Sequence, residues 1–196
     1  MTSDDPYTDP YTDPITGVLR NHFGITDRQE CDLAEARLSA LRLGELAITP
    51  LPGLYDLAHL RKFHRHIFGD LYPWAGEVRR VNIAKTSTFA AWQQIEAYGE
   101  WLFGELKKEQ YLRDLGRGPF LDRFAHYFAE VNALHPFREG NGRTQRAFFG
   151  QLALEAGWLV GFGSLEAEAF MAACRESMSG SVGPLRELLA EVTHAA

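Results

Sequence analysis

Between positions 135 and 146 the chain reads His135-Pro136-Phe137-Arg138-Glu139-Gly140-Asn141-Gly142-Arg143-Thr144-Gln145-Arg146. An imidazole, a carboxylate, a glycine-rich turn and a pair of spaced guanidinium groups follow one another there, and each has a chemical reason to sit where it does. Pro136 cannot extend a helix, so an amphipathic helix arriving from the N-terminal side ends at His135. The turn Glu139-Gly140-Asn141-Gly142 leaves its backbone N–H groups unshielded. A new helix begins directly after it, and that helix's free N–H groups and dipole point back at the turn. Arg143 and Arg146, three apart on the first turn of the new helix, can face one pocket. The pattern is a phosphate cradle with two cationic arms.

Glu139 beside such a cradle repels bound phosphates unless a cation intervenes. Mg²⁺ held by one carboxylate and phosphate oxygens resolves that conflict. His135 stands at the mouth of the same turn. An imidazole with an ordinary pKa of about 6.5 is mostly neutral near pH 7 and can take a proton from a hydroxyl. The set therefore points to nucleotide phosphate chemistry with a hydroxyl group as acceptor. Taken singly, each residue reads equally well as helix capping or as a solvated ion pair; taken together they do not.

The elements that must position this stretch are helices. Thr26 and Gln29 have capping-box spacing and open a segment through Leu46, with Leu33, Ala34, Leu38, Leu41 and Ala47 at helical intervals. Asp56 caps a helix to about Phe68 that lines up Leu57, Leu60, Phe63, His64 and Ile67. Further helices are expected near 92–108, 119–134, 145–156, 165–178 and 183–192. Phe120, Phe124, Phe128, Phe148, Phe149 and Leu152 fall at core spacing. The exception is 77–91, where Val78, Val81 and Ile83 alternate with polar residues before the turn Lys85-Thr86-Ser87-Thr88, the pattern of a small β-hairpin. The expected fold is all-α with one hairpin.

Composition bounds the rest. At 196 residues, 45% hydrophobic and 23% charged, the chain suits one compact domain rather than two or a disordered polymer. The net charge of -6 argues against a general nucleic-acid binder, and no apolar run is long enough for a membrane span. Asp4, Asp5, Asp9 and Asp13 carry much of that charge. The repeat Asp5-Pro6-Tyr7-Thr8, Asp9-Pro10-Tyr11-Thr12 resists helix and central strand alike, so residues 1–10 are expected to be a mobile tail before a domain over 11–196. Cys31 and Cys174 form neither a CxxC motif nor a disulfide framework, which with the absence of a signal-like start suggests the cytoplasm. His59, His64 and His66 look like a metal cluster only in one dimension. On a helix His64 lies about 140° from His59, and His66 is about 10.5 Å along the axis from His59.

The stretch 135–146 is similar to the signature of the Fic family, His-x-Phe-x-(Asp/Glu)-Gly-Asn-Gly-Arg-x-x-Arg, and agrees at every specified position. Ile15-Thr16-Gly17-Val18-Leu19-Arg20-Asn21 with Phe23-Gly24-Ile25 resembles the usual opening of such domains. Leu71-Tyr72-Pro73-Trp74-Ala75-Gly76-Glu77-Val78-Arg79 resembles the segment before the family's hairpin, so the likeness covers roughly 11–192. It implies a Fic-like helical domain that transfers AMP from ATP to a Ser, Thr or Tyr hydroxyl of a target protein, in the bacterial cytoplasm. It further implies roles: His135 as base, Phe137 as buried anchor of the loop, and Glu139 as the Mg²⁺ ligand. Gly140, Asn141 and Gly142 would surround the α- and β-phosphates, with Arg143 and Arg146 on the β- and γ-phosphates. Val81, Asn82, Ile83 and Lys85 would lie in the flap that registers the target by strand addition.

Many members of that family carry a restraining helix of pattern (Ser/Thr)-x-x-x-Glu-(Gly/Asn), whose glutamate pairs with the second motif arginine, here Arg146. In residues 1–196 only Thr26…Glu30 and Ser164…Glu168 have the spacing, and Cys31 and Ala169 follow them, so neither completes the pattern. The resemblance then implies a separate small antitoxin that supplies the glutamate to Arg146 in trans. Two rivals stand beside AMP transfer. One is a related phosphotransferase or another nucleotidyl transfer; the other is a non-catalytic nucleotide-binding module, which would need neither His135 nor a flap.

Overall fold

A computed structural model describes residues 9–83 and 89–196. Most of the expected tail and Lys85 of the expected flap lie outside the described residues. In chain order the elements are α1 (Arg28–Ile48), α2 (Leu57–Phe68), α3 (Ile95–Lys108), α4 (Arg117–Leu134), α5 (Asn141–Glu155), strand β1 (Trp158–Val160), α6 (Ala167–Ser177), α7 (Gly183–Glu191) and strand β2 (Thr193–Ala195). Short 3-10 turns precede α3, follow it and follow β1. The all-α expectation stands.

The strands fall elsewhere than expected. Among the described residues of 77–91 there is no strand, and the antiparallel pair is β1 with β2, Leu159 opposite His194. Side chains of Arg79 and Asn82 make the cross-links that a ladder would have made near 81–92. β1 and β2 have three residues each, too few to show a period of two.

The chain divides into two compact units. In the first, residues 1–51 and 61–77, α1 is capped by Asp27, whose carboxylate accepts from Glu30 N–H at 2.9 Å, rather than by Thr26. Asp is the stronger N-cap, and it moves the helix start by one residue. The helix buries only Cys31 and Ser39; Leu33 and Leu41 are 50% and 60% exposed, contrary to the expected apolar face. Arg42 instead ties α1 down by donating to Asp70 at 2.7 and 3.0 Å. Tyr72 stacks on Trp74 at 4.5 Å between centroids, and Tyr11 meets Trp74 edge-on at 5.3 Å.

The second unit, 52–60 and 78–196, holds the motif. Its core is aromatic: Phe120, Phe124 and Phe128 recur every fourth residue of α4, Phe124 and Phe128 meet Phe149 of α5, and Phe148 packs on Phe149 and on Phe103 of α3, all of them buried. Each such side chain contributes about 1.5–3 kcal/mol through burial, so α4 and α5 are fixed as a rigid pair. α5 begins at Asn141, a turn earlier than the expected 145. The loop between these two helices is the motif.

Candidate active site

α4 stops at His135, which takes the left-handed conformation, φ 46° and ψ 62°, while its N–H still reaches Val131 O at 3.1 Å. Pro136 accounts for the stop, since its ring disfavours the right-handed helical region for the residue before it. A non-glycine residue in this region is held there by its surroundings. The imidazole is half-buried, and Phe89 stacks on it with 3.7 Å between centroids and 16° between planes.

The loop that follows is closed by one amide. Asn141 accepts from Phe137 N–H at 2.9 Å and donates to Phe137 O at 2.8 Å, while the Phe137 ring, 1% exposed, is sunk in the core. The Asn141 side chain thus shapes the loop, and what it offers an anion is its backbone N–H. Gly140 has φ +79°, a conformation strained for other residues, and its carbonyl accepts from both the N–H and the hydroxyl of Thr144. Its N–H donates to Glu139 Oε1 at 2.9 Å, so that half-buried carboxylate lies along the loop.

The N-terminus of α5 has no side-chain cap. The backbone N–H groups of Asn141 and Gly142 have no acceptor among the described residues. Arg143 and Arg146 rise from this end. A Cβ on Gly142 would come 3.4 Å from Arg146 Nη1, so that guanidinium lies back along the first turn. Burial, and then the like charge of Arg143, hold Arg146 below the ordinary arginine range. Arg146 meets no carboxylate among the described residues. Two cations at an uncapped, N–H-rich helix end form a site that gains by receiving a polyanion.

The expected flap residues divide. Asn82 Oδ1 accepts from Trp92 N–H at 3.0 Å, which ties the chain before residues 84–88 to the chain after them. Val81 offers its carbonyl to Arg79, Ile83 is half-buried, and Lys85 lies outside the described residues. An open cavity of about 810 Å³ begins at Phe89 and Leu134 and is walled by Tyr98, Trp101 and Met178.

Sequence reasoning missed Phe89 and Arg79. Phe89 reads as an ordinary core residue of a short strand. Arg79, the last residue of the 71–79 segment and followed by Arg80, carries no signal of burial in its neighbours, yet it is 0% exposed. His59, His64 and His66 meet different groups. His59 Nδ1 accepts from Tyr55 N–H, His64 Nδ1 accepts from Gly76 N–H, and His66 pairs with Glu45. Among the described residues no trio of His, Cys, Asp or Glu is placed to hold a metal, and no helix is long and apolar enough to cross a membrane.

Comparison with known proteins agrees with this geometry. The protein adenylyltransferase VbhT of Bartonella schoenbuchensis is 45% identical over 91% of this chain, which spans 37% of that relative's length. A probable protein adenylyltransferase Fic of Escherichia coli is 36% identical over 91% of this chain and 89% of its own. The crystal structure of BepC from Bartonella tribocorum, with bound AMPPNP, superposes with a TM-score of 0.86 at 27% identity, covering 95% of this chain and 97% of that one. An N-terminal Fic domain from Bartonella quintana with bound ADP gives 0.87 at 29% identity, covering 94% of each chain. The model of the Fic/DOC family matches residues 54–153 and takes in the whole of the His135–Arg146 loop. On the loop, the fold around it and these matches alike, the chain belongs to the Fic/DOC family.

Proposed function

We propose that this chain transfers the AMP moiety of ATP to a hydroxyl side chain of another protein and releases pyrophosphate. The observation that carries this is the pairing of a polyanion site, Arg143 and Arg146 at the open end of α5, with a half-buried imidazole at the other end of the same short loop. The relatives named protein adenylyltransferases, and the AMPPNP and ADP in two structures of the same fold, support the choice of nucleotide.

The chemistry needs positioning and charge neutralisation more than covalent help. The acceptor oxygen attacks the α-phosphorus and gives its proton to the His135 imidazole, while the bond from the α-phosphorus to the leaving pyrophosphate oxygen breaks. Arg143, Arg146 and the N–H groups of Asn141 and Gly142 hold the phosphates and take up the charge that grows on the leaving group. The donor set suits Mg²⁺: Glu139, a hard oxygen donor on the loop itself, would hold it together with phosphate oxygens and water. A bound Mg²⁺ would screen the phosphate charge from Glu139.

Restraint in trans belongs to the same proposal. Arg146 meets no carboxylate among the described residues, and 1–196 holds no complete inhibitory pattern, so a small partner protein is proposed to present a glutamate to Arg146 and exclude the γ-phosphate. The test of the whole reading is label transfer with Mg²⁺, a bacterial lysate and ATP labelled at the α- or the γ-phosphate. Label from the α-position in a distinct protein band is expected. Label from the γ-position alone would make it a phosphotransferase, and no label would leave a binding module.

A further inference from the structure

We infer that Arg79 is the positioning residue that fastens His135 to Val81 and Ala90, so that the base and the Phe89 ring stacked on it are set together. The inference rests on the transfer reading and deepens it. Arg79 is fully buried. Its Nε donates to His135 O at 2.8 Å, its Nη1 to Val81 O at 2.7 Å, and its Nη2 to Ala90 O at 2.6 Å and more weakly to Leu134 O at 3.4 Å. Its own backbone N–H donates to Pro136 O at 2.9 Å.

Each contact has a physical reason. The end of α4 leaves carbonyls without intrahelical donors, and the negative end of the helix dipole favours a cation there. The left-handed turn at His135 directs its carbonyl away from α4, so a donor from elsewhere must reach it. A guanidinium spreads its N–H groups in one plane, which lets a single side chain serve the helix end, Val81 and Ala90 together. Lysine keeps the charge but presents its donors from one tetrahedral nitrogen and cannot span the same carbonyls.

The consequence runs to the imidazole along two routes. Arg79 holds the His135 backbone directly. By holding Ala90 O, with Ala90 N–H on Ala133 O at 3.1 Å, it also fixes the neighbouring Phe89, whose ring stacks on His135. Backbone and ring of the base are thus set from one point, and a displacement of about 1 Å at a reacting group can cost on the order of a hundredfold in rate.

The test compares wild type, R79K, H135A and the double variant, using α-labelled ATP, lysate as the acceptor source, and calorimetric ATP affinity. R79K is expected to bind ATP within about threefold of wild type, to lower turnover at saturating ATP by about thirtyfold or more, and to add nothing to the loss in H135A. The His135 imidazole protons of R79K should also lose the upfield ring-current shift that stacking on Phe89 imposes. Wild-type turnover in R79K, equal losses of turnover and ATP affinity, full additivity with H135A, or an unchanged imidazole spectrum would each overturn the inference. Should R79K fail to fold, the wild-type protein carries the test. Arg79 Nε–H is expected to exchange with solvent at least about a hundredfold more slowly than the exposed arginines, and exchange at their rate would overturn the inference. The spectroscopic arms need no activity, so a wild type that transfers nothing would sink the enzymatic reading and still leave the role of Arg79 decided.

Discussion

Phe89 lies flat against the His135 imidazole, 3.7 Å between ring centroids and 16° between ring planes. The two residues are 46 positions apart, and the contact brings Phe89 onto the His135 end of the motif loop. A flat stack restrains rotation of the imidazole about its side-chain bonds without using either ring nitrogen. Phe89→Ala is therefore expected to lower turnover by about tenfold while leaving ATP affinity within about twofold. Turnover and calorimetric affinity on one preparation check this; a loss of affinity with normal turnover would place Phe89 on the nucleotide instead.

Gly142 and Arg146 are coupled through a 3.4 Å approach. Gly142→Ala should push the guanidinium off the first turn and weaken ATP binding several-fold. Arg146→Ala removes a charge-assisted contact worth about 1.5–3 kcal/mol and should weaken binding by about tenfold to a hundredfold. Calorimetric titration with ATP distinguishes the two. If Arg146→Ala binds ATP as wild type does, the polyanion does not sit on this helix end.

Glu139 supplies the carboxylate beside that polyanion. Glu139→Gln keeps the shape and removes the charge, so ATP alone is expected to bind at least as tightly as to wild type. Added Mg²⁺ should then no longer raise transfer. Titrating Mg²⁺ against transfer rate, with an EDTA control, reads both effects, and an unchanged Mg²⁺ response would move the metal elsewhere.

A different acid contributes to the acid stability of the second unit. Arg123 donates to Glu109 at 2.5 and 2.7 Å and, with a hydrogen bond from Tyr127, holds that carboxyl below its ordinary 4.5. A depressed carboxyl stabilises the fold above its unfolded pKa, and the gain disappears as pH falls through the lower folded value. The pair is about one-third exposed, which limits it to about 1 kcal/mol. Glu109→Gln should thus lower the melting temperature at pH 7 by a few degrees and lower it by less at pH 3. Equal losses at both pH values would show that packing, not charge, is at work.

Much of this was legible in the chain because the relevant physics is local. Pro136 ends α4 wherever α4 packs, and Phe120, Phe124 and Phe128 reveal their buried stripe by spacing alone. Asp56 was readable as the cap of α2, and its carboxylate does accept from His59 N–H at 2.7 Å. What escaped depends on partners distant in sequence. Arg79 meets carbonyls 55 and 56 positions away, and nothing in its neighbours announces that. The bareness of α1 escaped as well, since apolar spacing shows which residues share a face and not whether anything covers it.

The most direct test of the central claim is His135→Ala, measured for ATP affinity and for transfer of the α-phosphate label side by side. The expected result is affinity within about threefold of wild type and transfer reduced by about a hundredfold to ten-thousandfold, the range for losing a general base. Near-normal transfer by that variant would contradict the assignment of His135 as the group that takes the acceptor's proton.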